Sequence, residues 1–406
     1  MFCLKTAILN IKRHKSKSIL VLLTCTLAVF FAFVFMNSIE TNQNQLLSLP
    51  QALPVTAQIE NIVGSRIVGL QISEDTVNQL SVSKHVKNLL YTAQLGANFP
   101  DTPDEANQYK QISIMAANDI RALPNLQDAQ IKLTDAANTD FLRGTDALCL
   151  ADDVFMQQNG LSPGDTVDLA LYALKSQEDG QSFTYVSLGN CSLRIVGTMT
   201  LPVNTSLVKT DLLCPAGWAK EKSDGAGEPF RLDSASFAVA DPLDLNAFKA
   251  AMKDMYLLPV VPTAQFSIYG IALVVKDETF IQTASHLKNS LAVLYAFAPV
   301  IFIVIALVGY AMAYLLMQSR RAELVIMRSL GSSRGGCVLI MFIEYAVLGL
   351  AGCLIGAACA ALWTGFSWNT LSVAMLFFAS LMLGVLVAAF QISRGNTMTG
   401  LKKTEA

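Results

Sequence analysis

The segment Gly331-Ser332-Ser333-Arg334-Gly335 has the G-x-S-x-G spacing of a nucleophile elbow. There a serine on a strained strand-to-helix turn attacks a carbonyl while a histidine takes its proton. The chain has three histidines, His14, His85 and His286. Only His14 is predicted to share a compartment with Ser333, and the strand that an elbow requires is missing, so a serine hydrolase is rejected. Three scattered histidines make no metal-ligand spacing, and no G-x-x-x-x-G-K-[ST] phosphate loop occurs. Of the eight cysteines, Cys149, Cys191 and Cys214 fall in a segment predicted to be extracytoplasmic, where disulfides are chemically permitted. Their number is odd and no CxxC spacing occurs; buried free thiols are the expectation and one disulfide the alternative. Cys3, Cys25, Cys337, Cys353 and Cys359 read as small apolar packing residues. No catalytic site, metal or cofactor is expected in this chain.

The spacing that remains is a basic and apolar run, Arg320 to Arg334, and its surroundings show what positions it. Hydrophobic residues make up 53% of the 406 and charged residues 15%, too apolar for an ordinary soluble domain. No charge occurs from Ser18 to Ile39 or from Asn289 to Ser319, and from Gly335 to Ser393 the only carboxylate is Glu344. Roughly 20 apolar helical residues cross the bilayer core. The third stretch is long enough for two helices and is broken by the polar run Trp363 to Thr370, with Trp363 and Trp368 as interfacial aromatics. Four transmembrane helices follow, at 18–37, 291–317, 337–362 and 371–391. The first apolar run exceeds a signal-peptide core and lacks a small-x-small cleavage site, so it reads as an uncleaved anchor.

Orientation comes from Lys and Arg near the helix ends. Residues 1–17, an amphipathic lead-in, carry Lys5, Lys12, Arg13, Lys15 and Lys17 without an acid; the 318–335 loop carries Arg320, Arg321, Arg328 and Arg334; the 392–406 tail carries Arg394, Lys402 and Lys403. Both termini and that loop are therefore predicted to be cytoplasmic, and residues 38–289 to lie outside. The outer segment holds 28 Asp and Glu against 17 Lys and Arg. Nucleic acid is not an expected partner; membrane lipid is.

The fold class predicted is an α-helical membrane protein with four transmembrane helices plus a large α+β extracytoplasmic domain inserted between helices 1 and 2. Glu40 to Leu47 and Glu278 to Ser290 extend the first two helices into a stalk, with Pro50 and Pro54 ending the first. Strand-helix-strand pieces at 52–135 and 235–276 form one subdomain, and 136–234 is a strand-rich insertion. Predicted details include a strand pair, Phe183–Ser187 and Ser192–Met199, around a Gly189-Asn190 turn, a flexible loop from Ser223 to Pro229, a helix at Leu243–Met255, and a strand at Phe266–Val275.

On a helix, Ala322, Ile326 and Leu330 of the cytoplasmic loop form one apolar stripe, with Arg321 and Arg328 opposite. Gly331 ends this helix and Ser332 or Ser333 caps the next. An ordinary positive-inside loop would also be basic. In the third membrane helix, Glu344 must face protein or snorkel. Gly349, Gly352 and Gly356 make a small-residue seam for internal packing or dimerisation. Pro299 kinks the second helix, as a static bend or as a hinge.

The run RRAELVIMRSLGSSRGGC resembles the signature loop of FtsX-like and MacB-like permeases of the type VII ABC superfamily, where two basic residues and a Glu precede an apolar helix, a basic residue and Leu-Gly. LKTAILNIKRHKSKSILVLLT resembles that family's basic entry into its first helix, and an acid near Glu344 is also similar. The exit Ala389-Phe390-Gln391-Ile392-Ser393-Arg394 departs from the family's Pro-Ala-Arg-like segment. The resemblance implies that Arg320, Arg321, Ala322, Glu323, Ile326, Met327, Arg328, Leu330 and Gly331 form the coupling helix seated on a separate cytosolic ABC ATPase, present in two copies and binding ATP and Mg. It further implies a permease-like transport subunit without its own ATPase, in the bacterial cytoplasmic membrane, paired with a second copy or a paralogue. Its outer domain would move by mechanotransmission to export or extract peptides or hydrophobic molecules. A membrane-anchored sensor or adaptor, or a regulator of a cell-wall hydrolase, is the alternative.

Overall fold

The computed structural model describes residues 11, 13, 15–100, 102, 112–123, 126, 130–134, 139–176, 183–200, 209–262, 270–318, 323, 326, 333–364 and 368–394. It divides into two compact units, one of residues Met1–Ser48 with Gln282–Ala406 and one of Leu49–Ile281.

The first unit is a helical bundle. Helix α1 spans Lys15–Ala52. Among the described residues three segments are long and apolar enough to cross a membrane: Lys15–Ala52, Glu278–Met312 and Leu339–Trp363; a shorter apolar stretch, Ala374–Val387, follows. Pro50 does not end α1, because a proline near a helix C-terminus removes only one backbone donor. The N–H of Leu53 still donates to the Leu49 carbonyl at 2.8 Å and closes the last turn. Within the apolar part, the Thr26 hydroxyl donates to the Leu22 carbonyl at 2.8 Å, which lets a polar side chain sit inside a membrane-length helix.

The second unit is built on a ten-stranded sheet. Its elements, in order, are β1 (Thr56–Asn61), β2 (Ile72–Ser73), α2 (Glu74–Val82), β3 (Val86–Asn98), β4 (Ile112–Ala117), β5 (Gln130–Leu133), β6 (Leu148–Asp152), α3 (Asp153–Asn159), β7 (Thr166–Ser176), β8 (Phe183–Thr200), β9 (Leu212–Pro215), α4 (Ala216–Gly225), β10 (Arg231–Leu232), β11 (Ser234–Val239), α5 (Leu245–Asp254) and β12 (Ile271–Lys276). The strand order is β12-β1-β11-β3-β4-β9-β6-β8-β5, with β7 pairing both β3 and β8 and with β2 and β10 forming a separate pair. The three helices that follow are α6 (Glu278–Gln318), α7 (Arg334–Thr364) and α8 (Trp368–Arg394).

Alternation sets the core of this unit. In β11 every second residue is buried, and Phe237 meets Phe248 of α5 edge-on at 6.2 Å between centroids. The expected turn at Gly189-Asn190 is instead the middle of one long strand. The β7 register slips between Leu171, opposite Gly189, and Tyr172, opposite Ser187. The extra residue is absorbed as a bulge, and Gly189 supplies the required positive φ of 89°. A bulge and a hairpin both use a glycine between alternating runs; here β7 offers eleven partner positions, so the chain stays extended. The expected loop at Ser223–Pro229 is also half wrong, since Ser223 is buried in α4 and bonds the Ala219 carbonyl at 3.1 Å. The helix expected at Leu243–Met255 begins as a 3-10 turn, Pro242–Asp244, before α5. Residues 266–269 of the expected last strand lie outside the described residues; β12 starts at Ile271.

Asp233 joins β10 to β11 and is 6% exposed. Its Oδ1 accepts the Gly69 N–H at 2.8 Å, whereas Oδ2 is buried without a partner. Burial pushes its carboxyl up to about 6, against the Gly69 bond that favours the anion. A carboxyl raised in the folded state binds its proton more tightly there than in the unfolded chain, so stability falls as pH rises from about 4 through 6. Asp233→Asn should thus stabilise the protein at pH 7.5 by on the order of 2–3 kcal/mol. In thermal melts against pH the gain in Tm should shrink below pH 6 and vanish near 4; a variant less stable than wild type at pH 7.5 would refute this account.

Candidate functional site

Of the predicted coupling residues, Glu323 and Ile326 are described and both are helical. Ile326 is 57% exposed, a β-branched apolar side chain facing out of its own unit. Arg320, Arg321, Ala322, Met327, Arg328, Leu330 and Gly331 lie outside the described residues. On the far side of the loop α7 starts with a defined cap: Ser333 Oγ accepts the Gly336 N–H at 3.1 Å. Ser333 is therefore occupied in holding a helix N-terminus.

The helices that hold this loop pack through glycines. On α7, a Cβ at Gly352 would lie 2.6 Å from the Cys25 Cβ and 3.2 Å from the Leu22 carbonyl oxygen. At Gly356 it would lie 2.8 Å from the Thr26 carbonyl oxygen. The seam thus places α7 against α1 of the same chain, and Thr26 Oγ1 reaches the Gly352 carbonyl at 3.4 Å. Gly349 faces the opposite neighbour, 2.6 Å from Leu381 Cδ2 of α8 by the same test. Gly384 of α8 in turn admits the Tyr310 backbone of α6, at 3.1 Å. Glu344, one turn before Gly349, is 1% exposed and so faces protein rather than lipid.

Helix α6 differs from its neighbours. Only 6% of its apolar window is buried, compared with 44% for α7, so Phe297, Val300, Ile303, Val304 and Leu307 stand exposed along it. Pro299 lies inside the continuous helix and is itself exposed. At the polar ends of α1 and α6, Ser38, Asn42, His286, Asn289 and Ser290 line an open groove of about 520 Å³. Trp363 is 81% exposed at the end of α7, as an interfacial aromatic would be.

These features fall largely in one stretch. Residues 295–398 match the family model described as FtsX-like permease C-terminal. This segment carries the FtsX-like permease pattern. The match takes in Pro299, the 318–335 loop, Glu344 and the glycine seam, and with its bilayer-length helices the chain is a multi-pass membrane protein. No curated protein matches the chain. Among solved structures, the periplasmic region of MacB from Actinobacillus actinomycetemcomitans is similar at 12% identity, covering 57% of this chain and 92% of its own, with a TM-score of 0.33. The extracellular domain of the noncanonic ABC-type transporter YknZ from Gram-positive bacteria is similar at 11% identity, covering 49% and 92%, with a TM-score of 0.29.

Among the described residues no group of His, Cys, Asp and Glu is placed to hold a metal. One polar cluster escaped the sequence reading. Asp119 accepts the Nε and Nη2 of Arg121 at 3.0 and 2.9 Å and the Nη2 of Arg143 at 2.9 Å. The Arg121 bonds hold its carboxyl well below the usual carboxylate range. Arg121 is local and was findable as an Asp-x-Arg turn; Arg143 is brought in only by tertiary structure. The cluster pins a 3-10 turn, Ile120–Ala122.

Proposed function

We propose that this chain is the membrane subunit of an ABC system in which a separate cytosolic ATPase drives movement of the outer domain. The observation that carries this reading is Ile326: an exposed apolar residue on a helical turn, flanked in sequence by arginines, inside the FtsX-like segment. An apolar anchor ringed by charge is what a docking helix offers to a groove in a soluble partner. Coupling then runs from the 318–335 loop into α6 and α7, whose glycine-tight contacts make them stiff transmitters. The lipid-length face of α6, left almost uncovered within one chain, is where a second permease copy or a paralogue would pack. In this reading four helices cross the bacterial cytoplasmic membrane, both termini are cytoplasmic, and ATP and Mg belong to the partner. Peptides or hydrophobic molecules are the cargo class.

Affinity purification of the full chain in mild detergent tests the assembly: an ABC ATPase should be retained in stoichiometric amount, and its absence would favour an anchored adaptor. Topology is tested separately. In a background lacking the native outer cysteines, Ser81→Cys, exposed on α2, should react with an impermeant thiol reagent applied outside, and Ser319→Cys should not. The reverse pattern would overturn the orientation.

A further inference from the structure

Strands β6 and β9 run antiparallel, with Leu150 opposite Leu213 and Ala151 opposite Leu212. Continuing that register by one position places Cys149 directly opposite Cys214. The type of pair follows from the adjoining bonds. The Asp152 N–H donates to the Asp211 carbonyl at 2.9 Å, so 152 and 211 form a hydrogen-bonded pair. Pairs alternate along an antiparallel ladder, which makes 149 and 214 a non-hydrogen-bonded pair. Such pairs bring Cα atoms to about 4.5 Å with both side chains on one face, within the span that a disulfide bridges. The next residue, Pro215, has no N–H to donate across the strands and so ends the ladder at this position. Beside Cys214, on the parallel neighbour β4, stands Ala116, a small residue that leaves room on the shared face. Both cysteines are fully buried, and in the structure both are free thiols, as is Cys191.

We propose that Cys149 and Cys214 are a modification site: a cross-strand disulfide that closes the β4-β9-β6 centre of the sheet when the domain is exported. This rests on the reading that residues 38–289 lie outside the cytoplasm. The oxidant is a protein disulfide donor of the thiol–disulfide oxidoreductase class. One cysteine thiolate attacks the donor disulfide, forming a mixed disulfide and releasing one donor thiol. The second cysteine then displaces the other donor sulfur. The two substrate sulfurs lose two protons and two electrons, and the donor leaves as a dithiol. Timing follows from burial. In the folded sheet neither sulfur is open to a donor, and burial pushes the Cys149 thiol up to about 12, so the bond must form before β9 docks. Once formed it is shielded from reductants. Cys191, on β8 opposite Leu169, remains as the unpaired thiol.

The experiment is acid quenching of cells making the full chain, denaturation, alkylation without reductant, and peptide mapping by mass spectrometry, beside the Ser81→Cys topology reporter. The expected result is a linked peptide containing Cys149 and Cys214 in the majority of molecules, with Cys191 alkylated. Linkage to Cys191 instead would overturn the assigned pair. Free Cys149 and Cys214 with Ser81→Cys labelled from outside would overturn the disulfide and leave the topology standing. Free thiols with no outside labelling would overturn both. As a check on the register argument, Cys191→Ser should retain the link, and Cys149→Ser should render Cys214 alkylatable.

Discussion

Ile326→Asp is expected to release the proposed cytosolic ATPase, and Leu324→Asp to retain it. On the helix read from the sequence, these two positions lie about 160° apart, so one substitution reaches the Ala322, Ile326 and Leu330 stripe and the other the arginine side. A carboxylate forced into an apolar contact without a partner costs about 3 kcal/mol or more, on the order of a hundredfold in affinity. A carboxylate on the basic, solvated side costs little. Neither substitution touches a membrane-crossing residue, so expression and membrane insertion should match wild type. The measurement is ATPase co-purification and stimulated ATP hydrolysis at matched expression. Equal loss in both variants would keep the loop as the contact and reject the face; full retention in Ile326→Asp would remove the apolar stripe from the interface.

The helices were legible because a bilayer imposes one requirement, a long charge-free run, that composition alone reports. So were their polar extensions, since Glu40 to Leu47 and Glu278 to Ser290 are helical as expected. The end of α1 was not, because it is set by the last available backbone bond at Leu53 rather than by the first proline. In the sheet unit, local chemistry located strands well and pairings poorly. Gly189 is the same residue whether it makes a hairpin or a bulge, and only the length of β7 decides between them. Asp233 read as one acid in an acidic segment, since its perturbation comes from the burial of a β10–β11 junction that no local pattern announces. The 318–335 loop was legible as a basic, amphipathic run, within which Ile326 is exposed.

The glycine seam shows the same division between what sequence spacing states and what it leaves open, and it gives the second large effect. Gly352-x-x-x-Gly356 announced a close helix contact without naming the partner; the partner is α1, at Cys25 and Thr26. Gly352→Leu should prevent stable assembly of the bundle, because even its Cβ would sit 2.6 Å from the Cys25 Cβ and 3.2 Å from the backbone oxygen of Leu22. The Cβ of Cys25 is fixed by its own backbone, so neither obstacle can yield unless α1 moves away from α7. Overpacking typically costs about 1–3 kcal/mol when neighbours can adjust, and more where the obstacle is main chain. The expected readout is loss of monodisperse protein in detergent and a fall in thermal stability, whereas Gly335→Ala, with nothing within 4 Å of its Cβ, should be tolerated. Specificity comes from a compensating change. Gly352→Ala should destabilise moderately, and adding Cys25→Gly should restore part of the loss by removing the nearest atom. If the double variant were no better than the sum of its parts, the seam would not be the α1 contact that sets the bundle.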